Sequence, residues 1–189
     1  MLVYRSTNLW IMDRPWYQKL FGRSQSHNLE STQAKANEGD AGAQFSLGLK
    51  YASGEGADQD YVQAAQWYLK AADQGHGLAQ FNLGTMYSEG QGLVRDDATA
   101  LTWFHKAARQ GDAGAQFSLG MRHYRASLWG PTKDSLEART EAYKWFCLAL
   151  AQGYMGSASI CESLNLSMTH EEVADGNRRA AAFVVAGPA

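Results

Sequence analysis

Apolar positions along the chain recur with a helical period. Ala43, Leu47, Gly48 and Tyr51 fall at i, i+4, i+5 and i+8, which gathers them on one face of a helix. Gly54 follows, and because glycine takes the left-handed conformation that other residues resist, it predicts the stop. Asp60 is placed to accept from the free N–H groups of a second helix, whose inner face carries Ala64, Trp67, Ala71 and Ala72 until Gly75 ends it.

This two-helix unit repeats. Ala43-Gln44-Phe45-Ser46-Leu47-Gly48 returns thirty-six residues later as Ala79-Gln80-Phe81-Asn82-Leu83-Gly84, and after the same interval as Ala115-Gln116-Phe117-Ser118-Leu119-Gly120. The second-helix block Trp67-Tyr68-Leu69-Lys70-Ala71-Ala72-Asp73-Gln74-Gly75 recurs as Trp103-Phe104-His105-Lys106-Ala107-Ala108-Arg109-Gln110-Gly111. Its third copy, Trp145-Phe146-Cys147-Leu148-Ala149-Leu150-Ala151-Gln152-Gly153, arrives six residues late, so an insertion is expected at Trp129-Gly130-Pro131-Thr132. Recurrent Ala and Gly let backbones approach while Leu47, Tyr51 and Trp67 fill the remaining space. One such unit cannot bury its faces alone, so neighbours must stack.

The order Ala-x-x-x-Leu-Gly-x-x-Tyr, Gly-x-Gly, Asp, Ala-x-x-Trp-Tyr-x-x-Ala-Ala-x-x-Gly resembles the Sel1-like repeat family, a branch of the tetratricopeptide-like solenoids. The resemblance implies an all-α fold, a right-handed α/α solenoid of helix-turn-helix repeats. It places a partial leading repeat from residue 30, ending in Lys35-Ala36-Asn37-Glu38-Gly39, and full repeats at about 41–76, 77–112 and 113–154. Residues 1–29 are then an N-terminal extension, partly disordered or a short amphipathic helix, and 155–189 hold capping helices and a frayed tail at Gly187, Pro188 and Ala189. In the third repeat His123 replaces Tyr51 and Tyr87, and Ala126 and Leu128 stand where the loop glycines stood, so that loop should differ. Ser157 to Leu164 is read as part of the terminal cap, Thr169 and Glu172 as a capping box that starts one more helix, and Asn177, Arg178 and Arg179 as its polar outer surface.

The family resemblance implies an adaptor that brings other proteins together, without a reaction or a cofactor. Repeat logic then proposes where: recurring positions are scaffold, and positions that differ between copies are free to contact a ligand. Gly42, Ser46, Leu49 and Ser53 form one such stripe, matched by Leu78, Asn82, Thr85 and Glu89, and by Gly114, Ser118, Met121 and Arg125. In related solenoids the first helices line the concave surface, so this stripe is the candidate groove for a partner protein or peptide; the bland alternative is a set of solvated or inter-repeat positions.

Composition narrows the partner. Seventeen Lys plus Arg against nineteen Asp plus Glu leave a formal charge of −2, no footprint for nucleic acid. Only Cys147 and Cys161 occur, which points to a reducing compartment and to small core residues rather than a bridge or nucleophile. No stretch approaches the roughly 18 apolar residues that span a bilayer, and Arg5, Ser6, Thr7 and Asn8 interrupt any leader-like run, so a cytoplasmic chain is expected.

His27, His76, His105, His123 and His170 are scattered without a metal-ligand spacing. Gly54-Glu55-Gly56 and Gly90-Gln91-Gly92 follow helices rather than strands, so they read as turns and not phosphate cradles. Asp96-Asp97 and Glu171-Glu172 stand at helix starts, where capping explains them. Near the N-terminus Arg5, Arg14, Lys19 and Arg23 interleave with Trp10, Trp16, Tyr17, Leu20 and Phe21; this segment rests on an anionic membrane, caps the first repeat or binds a partner directly, and Met12 is an alternative start. Two other functions therefore stand beside the adaptor: an envelope-associated hydrolase like cysteine-rich relatives, and a membrane-docked regulatory subunit.

Overall fold

The computed structural model describes residues 29–55, 58–128 and 133–183. Among them are nine α-helices and no strand: α1 (Leu29–Asn37), α2 (Ala41–Ser53), α3 (Tyr61–Asp73), α4 (Gly77–Glu89), α5 (Asp97–Arg109), α6 (Ala113–Ser127), α7 (Lys133–Ala151), α8 (Ala158–Ser167) and α9 (His170–Ala181), with a 3-10 turn at Met155–Ser157 before α8. Each of α1 to α7 packs on the next in the chain, the arrangement of stacked two-helix units. The N-terminal aromatic segment, Gly56, the stretch Trp129 to Thr132 and the last six residues lie outside the described residues.

Local chemistry ends the helices where the sequence places the signals. Asp60 accepts from the Val62 and Gln63 N–H groups, and Asp96 from Ala98 and Thr99, so α3 and α5 each open on a capped turn. Asp40 and Asp112 cap α2 and α6 through Ala43 and Ala115. Gly54 and Gly90 close α2 and α4 at positive φ, +76° and +71°. Gly92 has a second reason to be glycine, because a Cβ there would collide with the Tyr61 backbone at the start of the preceding unit's second helix.

Between helices, the recurring glycine of each first helix meets the ring of its own second helix. A Cβ on Gly48 would lie 2.6 Å from Tyr68, and one on Gly84 or Gly120 would lie 2.8 Å from Phe104 or Phe146. The alanines expected on the inner faces are buried, Ala64, Ala71 and Ala107 completely.

A ladder of glutamines crosses the unit boundaries. Gln44 donates to the Ala36 carbonyl and accepts from Gln74 at 2.8 Å, and Gln80 donates to Ala72 and accepts from Gln110 at 2.9 Å. Gln116 donates to Ala108, but its buried Oε1 has no partner among the described residues, and Gln152 at the equivalent of Gln110 is exposed.

The third unit differs from the first two in helix length. The extra length is taken up by helix: α6 has 15 residues against 13 in α2 and α4, and α7 has 19 against 13 in α3 and α5. Without a glycine at 126 nothing stops α6 early, and α7 gains turns at its N-terminal end. α9 docks along α7, and of that added end Glu137 takes part. Arg139 pairs with Glu172, and Arg179 reaches Glu137 and Glu141. A Cβ on Gly176 would lie 2.7 Å from the Tyr143 ring, and Phe183 meets Trp145 edge-on at 5.1 Å. Thr169 and Glu172 form the expected capping box. Asn177 and Arg178 are exposed as anticipated, whereas Arg179 is a clamp and not a solvated end.

Candidate partner-binding surface

The variable stripe sits on three successive first helices, α2, α4 and α6, each held to its own second helix by the same glycine-to-ring contact. Ser46, Ser53, Glu89 and Arg125 are exposed; Asn82, Thr85, Ser118 and Met121 are half-buried. Leu49 departs from this set. It is 7% exposed and packs with Ala64, Ala65 and Tyr68 in the core, so it is withdrawn from the surface. The apolar arc of α2 reaches position 49, where a leucine fills the cluster made with Tyr68 of α3 and Met86 of α4. Thr85 and Met121, in the same register, lie at the edge of that arc.

The hydroxyls of the stripe are committed locally. Ser46 donates to the Gly42 carbonyl at 2.8 Å, Thr85 to Phe81 at 3.1 Å and Ser118 to Gly114 at 2.8 Å, all back to the preceding helical turn. Ser53 accepts from the Glu55 N–H. These side chains therefore present shape and acceptor lone pairs more than free donors. The charged groups are Glu89 at the end of α4 and Arg125 in the last turn of α6; partial burial raises the Glu89 carboxyl above its ordinary value. Met121 adds apolar surface, resting on the cluster that contains Phe146.

The opposite set of residues is more uniform and was not singled out by variation. Lys70 lies 3.8 Å from the centre of the Trp67 ring, and Lys106 repeats this over Trp103 at 3.8 Å, because both pairs are one turn apart on the second helices. This is scaffold by the same repeat logic.

The other candidate groups are used structurally. Asp96 caps α5, Asp97 pairs with the exposed Arg95 at 3.0 Å, and Glu172 serves the capping box and Arg139. His76 takes the capping position that Asp40 and Asp112 hold in the neighbouring units. Its Nδ1 accepts from the Ala79 N–H at 3.3 Å, its ring stacks on Phe45 at 4.5 Å, and burial lowers its pKa. Beside it a cleft of about 250 Å³ is lined by His76, Gly77, Leu78, Gln110, Gly111 and Asp112, below the roughly 300–1,000 Å³ of typical small-molecule sites. Among the described residues no three His, Cys, Asp or Glu side chains gather as metal ligands, and no helix is long and apolar enough to cross a membrane.

Stacked helix-turn-helix units with a recurring scaffold and a variable first-helix stripe define a helical-repeat solenoid. The Sel1 repeat family model matches residues 41–76, 77–112 and 113–154, and the chain belongs to that family. A solved protective antigen present in uropathogenic Escherichia coli strains, which displays an SLR fold, is 33% identical with a TM-score of 0.68; the match covers 87% of this chain and 36% of that one. The chain thus spans about a third of the antigen's length. A Sel1 repeat protein from Oxalobacter formigenes is 32% identical over 71% of this chain and 97% of its own, with a TM-score of 0.59. No curated protein matches the chain. Sel1 repeats generally mediate protein–protein interaction, and the family is typically a non-catalytic scaffold.

Proposed function

We propose that this chain is an adaptor that holds a partner protein or peptide across its first helices, on a surface formed by Ser46, Ser53, Asn82, Thr85, Glu89, Ser118, Met121 and Arg125. One observation carries the reading. In three helices of nearly the same backbone, the core-facing residues recur while one accessible register changes from unit to unit, as a ligand-facing register of a stacked array is free to do. The hydroxyl-lined middle suits an extended or helical peptide packed by shape, with Glu89 and Arg125 available to orient its charges. The binding step needs no cofactor. A cytoplasmic setting goes with the proposal, since two cysteines in 189 residues do not make a secreted disulfide scaffold.

Affinity capture from native extract tests this with the wild-type chain beside a Ser46→Glu, Asn82→Arg, Arg125→Glu variant. All three side chains are exposed or half-buried, so circular dichroism should show an unchanged fold. A protein captured by the first and lost by the second supports the surface. Equal capture by both overturns it.

A further inference from the structure

Cys147 and Cys161, the chain's only cysteines, are separated by a complete turn of structure yet meet in space. Cys147 lies in α7 and Cys161 in α8, and both pack in one apolar cluster with Ala142, Tyr143, Phe146, Leu164 and Met168. Neither is bonded to another sulfur. Their side chains hydrogen-bond to each other, and Cys147 also hydrogen-bonds the Tyr143 side chain. Tyr143 in turn bonds Asn177 on α9. A polar chain Asn177, Tyr143, Cys147, Cys161 therefore runs through an otherwise apolar cluster and touches all three helices of the C-terminal end.

Filling space would not require this arrangement, because alanine or valine packs such a cluster without polar atoms to satisfy. The exposures of the two sulfur-bearing residues also differ in a useful way. Cys161 is 8% exposed, while Cys147 is only half-buried.

We propose that Cys147 and Cys161 are a reversible dithiol–disulfide site that staples α8 to α7 when a peroxide reaches the protein. Cys147 as thiolate attacks one peroxide oxygen; the O–O bond breaks, the second oxygen leaves as water after taking up a proton, and Cys147 becomes a sulfenic acid. The Cys161 sulfur then attacks the Cys147 sulfur, the S–O bond breaks and a second water leaves, carrying the Cys161 proton. Two thiols are oxidised, one peroxide is reduced to two waters, and a dithiol reductant reverses the bond by exchange. The division of labour follows the surroundings: the hydrogen bond from Cys161, aided by Tyr143, lowers the Cys147 thiol to about 7, whereas the same pairing and burial raise Cys161. The two cysteines share one cluster between packed helices, α7 and α8, and a disulfide there closes a bond of about 2.05 Å.

The consequence is local. Met155–Ser157 and α8 are the last first-helix element, and the bridge would tie them to the helix that carries the α9 clamp. Met121 of the candidate binding surface rests on the same cluster, so oxidation would stiffen the floor beneath the third row of the stripe.

The test uses the purified full chain with one equivalent of hydrogen peroxide, read by intact mass, thiol titration and a chymotryptic digest, which cuts between the cysteines at Tyr154. The expected result is loss of both thiols, a mass lower by two hydrogens, one pair of linked peptides within a monomer, a higher melting temperature, and full reversal by dithiothreitol. Cys161→Ser should instead accumulate a dimedone-trappable sulfenic acid at Cys147. Persistent thiols, oxygen added to either sulfur of the wild type without a bridge, or a bridge between two chains would each overturn the proposal. The wild-type mass and digest decide the matter even if the variant folds poorly.

Discussion

Replacing Gly120 by alanine sets two effects of opposite sign against each other. Gly120 is buried in the middle of α6, where alanine is intrinsically the better helix former by about 1 kcal/mol. Its added Cβ, however, would sit 2.8 Å from Cδ1 and Cε1 of Phe146 and 3.1 Å from Cζ. Carbon atoms pack at about 3.5–4.0 Å, so one element must retreat by close to an ångström. Phe146 is 0% exposed and is further held by the Phe117 ring at 5.5 Å, which leaves it no empty side to move into.

Overpacking of this kind costs about 1–3 kcal/mol, and with the propensity gain set against it the net loss is about 1 kcal/mol, at most about 2. For a chain of this length about 1 kcal/mol corresponds to a melting temperature lower by roughly 2–4 °C. The assay is urea and thermal unfolding followed by circular dichroism, for Gly120→Ala, Phe146→Leu and the double variant. Because leucine removes the ring edge, the double variant should be less destabilised than the sum of the singles. A Gly120→Ala protein more stable than wild type would refute the reasoning, since it would show that α6 and α7 have slack at this contact.

Three further outcomes follow from other contacts. Gln80→Leu should cost about 1–3 kcal/mol, the net worth of the two hydrogen bonds it removes, to the Ala72 carbonyl and from Gln110, without the penalty of an orphaned carbonyl, because Ala72 O still accepts from the Gly75 N–H; urea denaturation measures it. Arg179→Ala should release α9 before the repeats unfold, since it removes the contacts to Glu137, Glu141 and Asp175 together. Hydrogen exchange should speed up across His170–Ala181 while α2 to α5 stay protected, and uniform protection would argue against the clamp. Acid should destabilise the fold below about pH 6.5. His76, His105 and His123 are each lowered first by burial; for His105 the charges of His123, Arg109 and Lys144 add to this against Glu141, and for His123 those of Lys144 and Arg122 add against Glu141 and Glu137. A histidine with a lowered folded pKa is protonated first in the unfolded chain, so its stabilising contribution is present above the unfolded value and is lost as pH falls through the folded one. Thermal melts at descending pH should show this loss, and His76→Asp, which restores the neighbouring units' cap, should reduce it.

Much of the solenoid was legible because its determinants are local. The helix starts at Asp60, Asp96 and Thr169 and the stops at Gly54 and Gly90 depend on side chains within four residues of the backbone they act on, so the order of residue types suffices. The period was legible for a related reason: each unit buries the same face against the same neighbour, and the core residues must repeat. The stripe was legible only as a register. Its membership depends on how wide an arc the adjoining helices cover, and that arc took Leu49 into the core while leaving Thr85 and Met121 at its edge.

Elsewhere the tertiary structure decided what the chain order left open. Six late residues in the third unit could equally have made a loop, but they lengthen α6 and α7 as helix, and the added end of α7 sets Glu137 beside Arg179 of α9, more than forty positions on. Arg179 reads as one of several polar residues at a terminus until Glu137 and Glu141 are seen across from it. Cys147 and Cys161 share no motif and become a pair only through the turn that folds α8 back on α7. In the first two units the sequence by itself determined where helices begin and end and which faces must be covered, since those follow from contacts along the chain; only the tertiary structure decided which distant side chains meet, since that depends on the path of the whole backbone through space.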